Sequence, residues 1–176
     1  MRKFILSLLL VFGCLNLSAN DLVSLFQEHY QNHYAAGECD SNIKNFVAEA
    51  QEQNLNLENA YQIKIEKVAI CSFFCYFNPK NPRGDVWRWY YHVIFIKDHT
   101  VYDMDYADNF GIVAANEYLT KMYDSVELES IEIQQLLDLE NDRYLVLENA
   151  EDLDLRPYNQ KLKLKDFIHS LAKKDE

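Results

Sequence analysis

A chain of 176 residues with a formal net charge of −11 has enough length for one domain with a real core. Its 14% aromatic content, against four glycines and three prolines, excludes a disordered or low-complexity polymer. The acidic balance excludes partners held by general attraction to phosphate, whether nucleic acid or an anionic bilayer.

The first 19 residues read as a segment apart. Arg2 and Lys3 make a positive start, Phe4 to Phe12 is an apolar run, and Asn16, Ser18 and Ala19 follow. That order is expected of a secretory signal peptide, and the run is too short to cross a bilayer. Cleavage after Ala19 would leave residues 20–176 as a single, still more acidic domain in the periplasm or the medium, with no membrane contact. Lipidation of Cys14, after Gly13, is the alternative. The mature chain then holds Cys39, Cys71 and Cys75. An odd number leaves at least one thiol unpaired within the chain. Cys71 and Cys75, four apart in a strand-like run, would sit roughly 13 Å from one another and read as buried small hydrophobes.

Residues 21–35 place Leu22, Leu25, Phe26, His29, Tyr30 and His33 on one helical stripe capped by Asp21. Gly37 interrupts it. Asp40 and Ser41 are cap-type residues, and Ile43, Phe46, Val47 and Ala50 share a face, so a second helix is expected over 40–53 with Cys39 at its N-terminus. Tyr61, Ile63 and Ile65 then alternate with polar residues as a half-buried strand, 68–77 continues as strand, and 78–85 is a Pro/Gly loop. A long strand is expected over 86–96, a tight turn at 97–100 and a return strand over 101–105. Further on, 114–123 is helical, 126–139 ambiguous, 143–147 a strand, 148–160 an acidic solvated loop and 164–174 a helix. Helices first and mostly antiparallel strands after them make an α+β fold.

The chemistry concentrates at Cys39 and the hairpin. A thiolate is favoured at a helix N-terminus beside an imidazolium, and the same helix end offers backbone N–H groups to an oxyanion. On the strand 86–96, Arg88, Tyr90, His92, Ile94 and Ile96 share one face. Trp87, Trp89, Tyr91 and Phe95 form the other stripe, as core or as the wall of a cleft. A turn at Lys97–Asp98 pairs His92 with Asp103. A turn at Asp98–His99 pairs it with Asp105 and leaves Asp103 diagonal. Either register gives His92 a carboxylate to fix its tautomer. His29 and His33 have an i, i+4 spacing that can hold zinc, but no motif glutamate accompanies them. With no phosphate loop or cofactor fingerprint present, no metal and no cofactor are expected.

Three segments carry a resemblance. Cys39-Asp40-Ser41-Asn42, Trp89-Tyr90-Tyr91-His92-Val93 and Tyr102-Asp103-Met104-Asp105 are similar to the C-x-x-N, W-x-Y-H-V and Y-D-L-D motifs of the protein N-terminal glutamine amidohydrolases. More distantly, they resemble protein-glutaminases and transglutaminases. The loop Asn81-Pro82-Arg83-Gly84-Asp85 falls where that family carries a Pro/Gly loop, and the likeness spans residues 37–106. It implies a papain-like fold and a Cys39, His92, Asp103 triad, with Asp103 favoured over Asp105. It also implies deamidation of glutamine in a peptide or protein, with Asn42, Trp89, Tyr91 and Asp105 as candidate substrate-binding residues. An acyltransferase or a cysteine peptidase would use the same triad. A non-catalytic exported binding domain would instead bridge Cys39 to Cys71 or Cys75.

Overall fold

The computed structural model describes residues 21–67, 76–85, 88–145 and 162–172. The expected signal segment, Cys71, Cys75, Trp87 and the acidic loop at 148–160 lie outside them. Among the described residues the strands are β1 (Ala60–Lys67), β2 (Tyr91–Lys97), β3 (Thr100–Tyr102), β4 (Ile112–Ala114), β5 (Ile131–Asp138) and β6 (Arg143–Leu145). They form one sheet in the order β4-β3-β2-β1-β5-β6, antiparallel at every pairing. The helices are α1 (Asp21–Glu28), α2 (Cys39–Glu52), α3 (Ala115–Met122), α4 (Ser125–Ser130) and α5 (Leu164–Ala172). The α+β class expected from the sequence is the one observed.

Strand alternation sends successive side chains to opposite faces, and both faces are covered. On one, Val93 and Phe95 of β2 join Tyr102 and Met104 against Leu25 and Phe26 of α1 and Ile43, Phe46 and Val47 of α2. Phe46 lies at the centre, its ring edge-on to Phe26 at 5.1 Å and to Phe95 at 5.2 Å. Such edge-to-face pairs add to the stabilisation that burial provides. On the other face, Ile63, Ile65, Ile94 and Ile96 pack with Tyr118, Leu119 and Met122 of α3 and Phe167 and Ile168 of α5.

Several boundaries depart from the sequence reading. The first helix stops at Glu28 and gives way to a π-helical turn, His29–His33. In that turn the Tyr30 hydroxyl is drawn across to donate to the carbonyls of Tyr106 and Ala107. The segment 126–139 divides into α4 and β5, with Asp124 capping α4 through the Glu127 N–H. The expected long strand at 86–96 is not continuous. Trp89 bridges to Phe77, the chain bends at Tyr90, and β2 starts only at Tyr91. The bend cancels the alternation, so Trp89 lies with His92 and Ile94 rather than on the opposite stripe. The return strand is also shorter than expected: β3 ends at Tyr102.

Candidate active site

Cys39 is the first residue of α2 and is almost wholly buried. Glu38 precedes it without a side-chain cap, so the first-turn N–H groups have no capping oxygen. Asn42 braces the approach. Its amide accepts from the Ala35 N–H (3.1 Å) and donates to the Ala35 carbonyl (2.8 Å), tying the loop before Cys39 to the helix after it. The structure therefore gives Asn42 an anchoring contact beneath the thiol.

The hairpin turn is Asp98–His99, since Lys97 pairs with Thr100 and Phe95 with Tyr102. This is the register that sets His92 opposite Asp105. The ladder breaks before reaching them, because the chain turns over 103–106, where the Tyr106 N–H donates to the Asp103 carbonyl. Freed from the ladder, both acids reach the histidine. His92 Nε2 lies 3.0 Å from Asp103 Oδ1, and Nδ1 lies 3.8 Å from Asp105 Oδ2. The Nε2 contact is an ion-pair distance without a well-aligned N–H. The Cys39 sulfur, a His92 nitrogen and an Asp105 oxygen all lie within 4.8 Å of one another.

By alternation His92 belongs to the α3 face, whereas α2 packs on the other. They meet because β3 no longer flanks β2 beside His92, which leaves the sheet open at that end. Trp89 closes the histidine from above, its ring stacked on the imidazole at 4.0 Å and 16°. Burial is the largest influence on His92 and pulls its pKa down. Asp103 and then Cys39 outweigh it, holding the imidazole well above its usual value.

Both carboxylates are themselves held. Asp103 accepts from the Asp105 N–H at Oδ1 and from the Tyr118 hydroxyl at Oδ2, each at 2.8 Å. Tyr118 lies in turn 3.2 Å from the Tyr123 hydroxyl. Asp105 accepts from the Tyr34 hydroxyl at 2.7 Å. Burial raises the Asp105 carboxyl above the usual range, and His92 beside it pulls it back. Arg83 stacks its guanidinium between the Tyr30 and Tyr34 rings, at 3.8 and 3.9 Å, and its backbone N–H donates to the Asp105 carbonyl. The sequence reading missed Tyr34, Arg83, Tyr118 and Tyr123. Arg83 stands in the one loop whose place the motifs marked, but nothing local to the three tyrosines could have found them.

Tyr91 is exposed, and its hydroxyl pKa is raised first by Cys39 and then by burial. With Asp40, Lys44, Gln62, Lys64, Gln135 and Leu137 it lines a polar groove of about 170 Å³. His29 pairs with Glu49 at 2.9 Å, and the one cluster of three donors close enough to hold a metal ion, among the described residues, is Cys39, His92 and Asp105. No family model and no curated protein matches this chain.

Proposed function

We propose that this chain is a papain-like cysteine amidohydrolase, exported once residues 1–19 are removed, that deamidates glutamine in a peptide or protein. The observation that carries the reading is the placement of His92, with Nε2 against Asp103 and a ring nitrogen within 4.8 Å of the Cys39 sulfur at a helix N-terminus. A nucleophile, its base and the base's orienting group are what covalent amide hydrolysis requires. The three motif resemblances support glutamine as the target.

The steps follow from these groups. The Cys39 thiolate attacks the carboxamide carbon, and the new oxyanion is held by N–H groups at the start of α2. His92 gives its proton to the departing nitrogen, ammonia leaves, and a thioester remains. Water then attacks the thioester while His92 takes its proton, and the glutamate side chain and the free thiol are released. Asp103 keeps the imidazole oriented and carries its charge through both transfers. Tyr91 and the polar groove beside it supply a surface for the peptide around the target residue.

The test is ammonia release from glutamine-bearing peptides, N-terminal and internal, by the wild type and by Cys39→Ala. Release by the first and not the second is expected. No release by a wild type whose Cys39 still alkylates would overturn the reading. Adding a primary amine separates water from other acceptors of the thioester.

A further inference from the structure

Asp105 has no part in that mechanism, yet it is buried beside the nucleophile with an oxygen facing His92 Nδ1. We propose that Cys39 Sγ, His92 Nδ1 and an Asp105 carboxylate oxygen form a binding site for a thiophilic divalent cation of the zinc type, whose occupation switches the thiol chemistry off. The sulfur, a His92 nitrogen and an Asp105 oxygen already lie within 4.8 Å of one another, and Nδ1, the nitrogen on the Asp105 side, lies 3.8 Å from Oδ2. Around a tetrahedral zinc, neighbouring ligand atoms stand about 3.3–3.7 Å apart, so side-chain rotations that draw the donors together by about 1.5 Å or less complete the set. His92 Nδ1 is wholly buried and has no hydrogen-bond partner of its own.

The surroundings match what a ligated metal needs. A metal-binding imidazole commonly gives its second nitrogen to a carboxylate, and Asp103 stands at Nε2. A ligating carboxylate is itself held by a hydrogen bond, and the Tyr34 hydroxyl supplies one to Asp105. The sulfur selects zinc-like cations over calcium or magnesium, which take oxygen ligands. A thiolate and a carboxylate balance two positive charges, and the fourth position is left to water. On binding, the thiol proton and any proton on Nδ1 leave to solvent, with no change of oxidation state. The cation then occupies both the sulfur and the base, so metal binding and acylation exclude each other.

The test uses the full chain, reduced, in competition with a colorimetric chelator for Zn²⁺. The wild type should take up one ion per chain, and Cys39→Ala and Asp105→Asn should each weaken that uptake about tenfold or more. Co²⁺ in place of Zn²⁺ should give a near-ultraviolet sulfur-to-metal band that Cys39→Ala abolishes. Circular dichroism on both variants separates a lost site from a lost fold, with Cys39→Ser as the second thiol variant if alanine unfolds the chain. Equal zinc affinity in the wild type and both variants would overturn the proposal, since the ion would then sit elsewhere. So would wild-type binding too weak to measure. Neither readout needs turnover, so failure here is distinct from failure of the deamidase reading.

Discussion

At the scale of single residues, the two acids beside His92 divide the work by which nitrogen each faces. Asp103 faces Nε2 and raises the imidazole, so Asp103→Asn should lower the His92 pKa and cut the proposed deamidation about 10²–10⁴-fold. An NMR titration of His92 and an ammonia assay check the pair, and an unmoved His92 would remove Asp103 from the triad. The same shift fixes the sign of a stability effect. Because the folded pKa exceeds the unfolded value of 6.5, the pair's stabilisation is complete below pH 6.5 and fades as pH climbs through the folded value. The gap between wild type and Asp103→Asn should therefore be wider at about pH 6 than at about pH 9 in urea denaturation. An equal gap at both would mean that His92 protonation contributes nothing. Tyr118→Phe strips a hydrogen bond from Asp103 Oδ2 in the buried site, and about 1–3 kcal/mol of lost stability is expected by thermal denaturation. Cys39 and His92 were legible in the sequence because each carries its chemistry in its own side chain. The preference for Asp103 over Asp105 came from the motif resemblance alone, because hairpin register left both open and the outcome depends on where the ladder breaks.

At the scale of elements, the turn that follows β3 is what builds the site, and Gly111 braces its first residue. Gly111 accepts the Asp103 N–H, has φ +75°, and leaves no room for a Cβ against the Asp103 carbonyl oxygen. Gly111→Ala should cost more than about 1 kcal/mol and displace Asp103, lowering thermal stability and Cys39 alkylation together. A variant with wild-type melting and alkylation would show the turn to be tolerant. Helix α2 was predictable to within a residue, because its 3.6-residue apolar period is a local signal, although the expected cap residues Asp40 and Ser41 lie inside the helix and Glu38 precedes it without a side-chain cap. The strand around His92 was not. Apolar and aromatic residues from 86 to 96 read as one unbroken run, and only the bridge of Trp89 to Phe77 imposes the bend that brings Trp89 onto the imidazole. Helix α1 was overextended for a related reason: its stripe continues through His33, but the pull of Tyr30 toward Tyr106 widens the last turn.

At the scale of the whole molecule, the sheet is a partition with the helix that starts at Cys39 on one face and the helix bracing Asp103 on the other. Phe46 holds α2 to that partition, so Phe46→Ala should cost about 3–5 kcal/mol in chemical denaturation. A loss under about 1 kcal/mol would mean that α2 docks mainly through other contacts. The sequence by itself determined the α+β class, the helix that starts at Cys39, the strand that carries His92 and the presence of acids after the hairpin. Each of these follows from short-range period, capping and turn chemistry. Tertiary structure alone decided that His92 and Cys39, assigned by alternation to opposite faces, meet at the open end of the sheet. It alone set Asp103 on one nitrogen and Asp105 on the other, and it supplied Tyr34, Arg83 and Tyr118 to hold them. Those pairings join residues far apart in the chain, and no local periodicity encodes such a contact.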